Sequence, residues 1–289
     1  MLEFYVNVIV GGLLLGAVYA LLATGLNVIF GVMRMVNFAH GEMVVVGMYV
    51  GYGLWAWTGA PALVAAPVAA LLLFVMGYLF QRFVANRFVE APQHMQFILY
   101  IAIALVITGL HAVFFGPDPR GIQSDASFEV YQLGMVRFDA VRTQAALASL
   151  VLIAALWAWF RYSLTGKAIE AAAENRVGGQ AIGIRIPHLF ALTAGLGFAC
   201  AGAAGALVAP MFDVQPYLGG EFTLVAFIIV IVGGLASLPG ALVGGLLIGL
   251  AEALAATVVA PSMKSLFSYG LLVLVILLRP QGLFGKVEG

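Results

Sequence analysis

Long apolar runs without charge alternate with short polar breaks along most of the chain. Residues 4–33 carry no charged side chain. A helix needs about 20 apolar residues to cross the hydrocarbon core of a bilayer. Runs of this kind lie at 6–30, 43–59, 62–81, 95–115, 143–160, 188–210, 220–236, 240–258 and 265–278. The apolar stretch 43–81 is too long for one crossing, and Pro61 after Gly59 divides it. Ser237-Leu238-Pro239-Gly240 divides the stretch 222–251 in the same way. The last run is short, so the pattern predicts about eight or nine spans. The expected fold is an all-α polytopic membrane helix bundle, one transmembrane domain over 1–289, with broken helices.

Composition supports the lipid setting. Charged residues make up 9% of the chain, against roughly 25% in ordinary soluble domains. Mean hydropathy is +1.08. A soluble chain could not cover its surface with so few charges, and lipid removes that requirement. Lys+Arg and Asp+Glu each total 13, so no basic surplus points to nucleic acid. Cys200 is the single cysteine; it excludes an intrachain disulfide and a multi-cysteine metal site. Its expected place is a small-residue helix contact. The first basic residue is Arg34, and the N-terminal run does not read as a cleavable signal peptide, which opens on a basic segment.

The basic residues suggest an orientation. With the N-terminus outside, the inner segments carry Arg34, Arg82, Arg87, Arg161, Lys167, Arg176, Arg185, Arg279 and Lys286, and the outer segments Arg120, Arg137, Arg142 and Lys264. Cytoplasmic loops are enriched in Lys and Arg, so this bias predicts N-out and C-in. The outer loop 116–142 holds Asp118, Asp125, Glu129 and Asp139 instead. Many of the 35 glycines fall four apart, as in Gly12/Gly16, Gly47/Gly51, Gly240/Gly244 and Gly245/Gly249. This spacing fits close helix packing, with pore lining as the alternative.

Three stretches break the membrane pattern. In the first, Gly31 to Glu42, the polar Asn37, His40 and Glu42 stand beside long apolar runs. Irregular backbone at membrane depth is tolerated only against protein or a water-filled cavity. The stretch therefore reads as a broken helix at a pore or as an ordinary loop with a helix cap. The second is 161–187. Its Ala-, Glu- and Lys-rich residues 167–176 predict a short helix ended by Gly178-Gly179. Lys167, Glu170 and Glu174 share one face, and Ala168, Ile169, Ala171 and Ala172 are expected to enter a groove on a partner. A solvated connector is the other reading. The third, Gly233-Gly234 to Gly244-Gly245, is a Gly-rich interruption like the first. Paired interruptions point to a transport path, and they leave an inverted repeat open. Glu252 and His111 lie inside apolar runs; each lines a cavity or is a satisfied polar group at a helix interface.

Several chemistries have no counterpart in the sequence. No G-x-x-x-x-G-K-[S/T] loop occurs, since Gly166-Lys167 and Gly285-Lys286 lack the earlier glycine and the hydroxyl. No H-E-x-x-H and no G-x-S-x-G occurs. The expectation is a non-enzyme without cofactor or metal, with any ATP drive supplied by another subunit.

Three motifs carry a family resemblance. They are Asn27-Val28-Ile29-Phe30-Gly31-Val32-Met33-Arg34 leading into Asn37-Phe38-Ala39-His40-Gly41-Glu42, then Gly166-Lys167-Ala168 through Glu174-Asn175 to Gly183-Ile184, and Val232-Gly233-Gly234 through Pro239-Gly240 with the ending Arg279-Pro280-Gln281-Gly282-Leu283-Phe284-Gly285. Together they resemble the branched-chain amino acid ABC-transporter permeases, in particular the shorter, LivH-type permease of the pair. The resemblance covers essentially the whole chain. It implies a heterodimer with a second permease, two cytosolic ATPases, a periplasmic substrate-binding protein and a place in the bacterial inner membrane. It implies coupling to the ATPase through Lys167, Ala168, Glu170, Ala171, Ala172, Glu174, Asn175 and Gly183. The expected pathway residues are Asn37, His40 and Glu42, with Gly233 and Gly234 opposite. Gly178-Gly179 departs from the bulkier residues usual in the family's inner loop. The same family includes permeases for urea, short amides and some aromatic acids. An ion-driven secondary carrier would need a charge relay for which only Glu252 is available, and a passive channel needs no docking helix.

Overall fold

A computed structural model describes residues 1–123, 129–134 and 136–285. Asp125 and Lys286, counted above toward the two faces, lie outside the described residues. Eleven α-helices and one hairpin make up the described chain: α1 (Leu2–Met33), α2 (His40–Thr58), α3 (Ala62–Phe83), α4 (Gln93–Phe115), β1 (Val130–Leu133), β2 (Val136–Asp139), α5 (Ala140–Tyr162), α6 (Leu164–Glu174), α7 (Arg176–Ala181), α8 (Ile186–Val208), α9 (Gly219–Gly233), α10 (Leu238–Val258) and α11 (Lys264–Leu278). Seven helical segments are long and apolar enough to cross a bilayer; α2 and the shorter α11 complete a set of nine apolar helices among the described residues. Each matches one predicted run. The divisions fall where Gly59-Pro61 and Ser237-Pro239-Gly240 place them: Gly59 ends α2 at φ +71, and Ser237 Oγ caps α10 by accepting from Gly240 N.

Small residues set the packing. The antiparallel pair α1 and α10 is so close that a Cβ on Gly16 would lie 2.7 Å from Gly245 O, and one on Gly249 2.5 Å from Gly12 O. Lipid gives helices no hydrophobic reason to associate, so close van der Waals contact between backbones holds this seam. α8 is the central, mostly buried helix, whereas α4 is peripheral and largely exposed. Around α8 stand α1, α2 and α3.

The pairing pattern has an internal symmetry. α1 packs on α10, α3 on α8, α1 on α8 and α2 on α9. Exchanging α1 with α8, α2 with α9 and α3 with α10 leaves this set of neighbours unchanged. α1 and α8 run antiparallel, since Gly25 meets Cys200 and Ile29 meets Gly197. This exchange symmetry is the neighbour pattern that an inverted repeat would produce.

Two features depart from the expected elements. The loop 116–142 contains the hairpin β1–β2, with Val130 paired to Asp139 and Gln132 to Arg137. Residues 167–176 are not one helix ended by Gly178-Gly179. α6 already stops at Glu174, because Asn175 is extended at φ −145 and ψ 98. The Asn175 side chain then caps α7 by accepting from Gly178 N at 2.8 Å. Gly178 and Gly179 lie inside α7, and the chain leaves through Gly183 at φ +87. Ser163 caps α6 in the same manner through Gly166 N.

Candidate substrate pathway and coupling surface

The break between α1 and α2 folds back into the bundle. α1 ends on Arg34 in the left-handed region at φ 58. Residues 34–39 are not helical, and Met35, Asn37 and Ala39 are buried. His40 Nε2 donates to Leu22 O at 2.9 Å; the carbonyl can only accept, so Nε2 carries the proton. Leu22 lies eleven residues before the end of α1, about 16 Å along its axis. α2 therefore begins deep in the bundle, and its irregular lead-in is shielded by protein as the membrane requires.

A second broken segment meets it there. Gly41 N donates to Thr223 Oγ1 at 2.9 Å, and Phe38 packs between Phe97 and Phe227 at centroid distances of 4.6 and 5.1 Å. The Glu42 carboxyl lies against Gly219, where a Cβ would come within 2.6 Å of Oε1. The N-termini of α2 and α9 thus meet with Glu42 at their junction. Each presents the positive end of its peptide dipoles, which favours negative charge at this point. Asn37 Oδ1 accepts from Ala39 N at 3.0 Å and forms the turn into α2. Asn37 Nδ2, His40 Nδ1 and Glu42 Oε2 are buried without a hydrogen-bond partner among the described residues. Unpartnered buried polar atoms cost about 1–3 kcal/mol each.

Gly233 and Gly234 are not opposite these residues. They end α9, ten residues beyond Thr223 and so about 15 Å away. They hold the C-terminal tail instead: Leu283 N donates to Val232 O and Phe284 N to Gly233 O. Gly234, at φ +106, lies so close to Gly285 N that a Cβ would be 2.5 Å from it. Asn27 was cited only within a motif, yet it fixes the same turn, donating to Ser237 O at 2.6 Å and accepting from Ala236 N at 2.7 Å. An amide near the far end of a long uncharged run is the signal that could have singled it out.

Glu252 and His111, inside apolar runs of α10 and α4, have neighbours. Glu252 accepts from Tyr19 Oη at 3.2 Å and from Ser268 Oγ at 3.1 Å, tying α1, α10 and α11 together. This is the satisfied interface reading. His111 stacks on Tyr49 at 4.7 Å, beside Phe115, and its Nδ1 has no hydrogen-bond partner among the described residues.

On α6, Lys167, Glu170, Ala171 and Glu174 are exposed, as are Asn175 and Gly183 beyond it. Ile169 and Ala172 are fully buried against the bundle, so they cannot enter a partner's groove. Ala168 is half-buried between these faces. Exposed Leu164, Val177 and Ile182 supply apolar points among the charges instead. α7 is linked to the end of α1: Arg176 Nη2 donates to Met33 O at 2.8 Å, with its guanidinium 5.0 Å from the Phe190 ring. Met33 is the last residue of α1 before the broken segment.

Residues 8–276 match the family described as the branched-chain amino acid transport system permease component. The chain is 31% identical over 303 residues to the high-affinity branched-chain amino acid transport system permease protein LivH of Escherichia coli K12, covering 99% of this chain and 97% of that one. It is 30% identical to the permease protein BraD of Pseudomonas aeruginosa, covering 98% and 97%. A probable LivH of Methanocaldococcus jannaschii is 26% identical, covering 95% and 91%. Among solved structures, PsaBC from Streptococcus pneumoniae in complex with Fab aligns with a TM-score of 0.50 at 13% identity, covering 96% and 94%, a likeness of fold alone. With a match of this length and relatives of this identity, the chain belongs to the branched-chain amino acid transport permease family.

Proposed function

We propose that this chain is a permease subunit of an ABC importer for branched-chain amino acids, working as a single transmembrane domain in the bacterial inner membrane. The observation that supports the mechanism is the junction of α2 and α9, where Asn37, His40 and Glu42 each keep one buried polar atom unpartnered among the described residues. Broken helices whose N-termini meet at depth are a recurrent way to build a solute site in a bilayer. The family's relatives are named for branched-chain amino acid transport, and such solutes are zwitterions. Glu42 faces the ammonium group in this reading, and the helix N-termini and His40 face the carboxylate. A second permease completes the path. Two ATPases drive it, and a substrate-binding protein delivers the solute.

Coupling runs through the face that carries α6 and α7, taken as cytoplasmic from the basic bias. Lys167, Ala168, Glu170, Ala171, Glu174, Asn175 and Gly183 form the docking surface, and Ala172 braces it from beneath. A push on this surface moves α7, and Arg176 passes the motion to Met33 and the broken segment. Rigid-body coupling of this kind needs ordered helices rather than a tether. Gly233 and Gly234 anchor the far end of α9 against the tail.

The test is leucine uptake and stimulated ATPase activity in proteoliposomes holding the full transporter. Glu42→Gln removes the charge and keeps the shape, and Asn37→Leu removes the amide. Both should assemble normally and lower uptake at least tenfold, the scale of about 1.4 kcal/mol. Wild-type uptake and ATPase activity in both variants would reduce the junction to a structural contact.

A further inference from the structure

We infer that the end of α3 and the start of α8 form a binding site for the headgroup of an anionic phospholipid. A cleft of about 690 Å³ opens there, lined by Tyr78, Arg82, Asn86, Arg185 and His188, with Gln180, Ile184 and Phe83 at its edges. None of the described residues lining it is acidic, and neither arginine has an acidic partner among the described residues. Arg82 Nη1 donates to Tyr78 Oη at 3.2 Å. Tyr78 Oη lies 2.9 Å from His188 Nδ1. With the tyrosine accepting from Arg82 and donating to Nδ1, the imidazole keeps Nε2–H as a further donor. Asn86 Nδ2 donates to Pro187 O and pins the first turn of α8 beside the cleft. Two guanidinium groups and an imidazole N–H thus line one cleft with no acidic residue among the described lining, which is the chemistry of a phosphate site.

The source of the phosphate is argued from α3. Val68, Leu72, Val75 and Leu79 are exposed at helical spacing and form one apolar stripe that ends at Arg82 and Phe83. A phospholipid can lay an acyl chain along this stripe with its phosphate in the cleft. A free phosphate makes no use of the stripe. Basic pockets beside transmembrane helices bind anionic headgroups in this way.

The test uses the purified full-length chain in a neutral detergent and native mass spectrometry. The probes are phosphatidylglycerol, phosphatidylcholine of the same acyl length, and inorganic phosphate. Wild type should retain phosphatidylglycerol about 30-fold better than phosphatidylcholine, from two arginines near one anion. Equal concentrations of inorganic phosphate should not displace it. Arg82→Ala with Arg185→Ala should lose the preference. The paired lysine variant should keep most of it, and Arg161→Ala, on the same face outside the cleft, all of it. Equal retention of the two lipids by wild type would overturn the site, whether or not the alanine pair folds. Displacement by inorganic phosphate would overturn the lipid assignment, as would an undiminished preference in a folded alanine pair.

Discussion

Gly41→Ala probes the meeting of α2 and α9 more sharply than any other single change. A Cβ at this position would lie 1.9 Å from Gly219 O, 2.5 Å from Thr223 N and 2.6 Å from Thr223 Oγ1. Two of these atoms are backbone, so no rotamer change can relieve the clash. Forcing a methyl group into a packed interior costs about 1–3 kcal/mol. The separation also stretches the Gly41–Thr223 hydrogen bond, worth about 0.5–1.5 kcal/mol. The helix propensity of alanine returns up to about 1 kcal/mol, which leaves a net loss of about 1–3 kcal/mol. Gly53 and Gly109 are matched controls, because a Cβ at either meets nothing within 4 Å. Gly53→Ala and Gly109→Ala should be neutral or slightly stabilising. Thermal unfolding in detergent, followed by tryptophan fluorescence, reads the difference as a midpoint several degrees lower for Gly41→Ala alone. An unchanged midpoint for Gly41→Ala would refute the close junction and the geometry built on it.

Glu252→Leu strips Tyr19 and Ser268 of their acceptor. Interhelical hydrogen bonds in membranes average about 0.6 kcal/mol with a ceiling near 1.7, so the same unfolding assay should show a loss of about 1–3 kcal/mol and a smaller one for Glu252→Gln. Asn27→Leu removes two short bonds to the α9–α10 turn and should expose that turn to faster amide exchange at Ala236. Ala172→Asp places a charge in a fully buried site and should destabilise the chain itself by several kcal/mol. Its exposed neighbour provides the contrast: Ala171→Asp should leave the midpoint unchanged while lowering ATPase co-purification.

The membrane fold was legible because lipid enforces it. Each of the nine apolar runs became a helix, and Pro61 and Pro239 marked real divisions, since neither can continue a preceding helix. The hairpin in 130–139 was hidden inside a loop of mixed composition. The end of α6 was misplaced because Gly178-Gly179 look like a stop, whereas the Asn175 side chain had already begun a new helix. Asn37, His40 and Glu42 stand out as polar residues at a break, and all three are buried there, His40 against α1 and Glu42 against α9. Their partner segment was misassigned because the sequence shows that α9 is flanked by two interruptions, not which of its ends reaches the first break. Gly219 and Thr223, at the start of α9, carry no sequence signal beyond their small size. The burial of Ala172 was equally silent: on a short alanine-rich helix, the bundle rather than the residue type decides which face is inward.

The central claim is that this chain carries solute only as the ATP-driven permease half of a larger importer. The direct measurement is leucine uptake into proteoliposomes holding this chain with its second permease and ATPases, with substrate-binding protein added outside. Uptake should require ATP and the binding protein, and Ala171→Asp should lower uptake and ATPase association together. Leucine uptake by this chain alone, without ATP, would contradict the account.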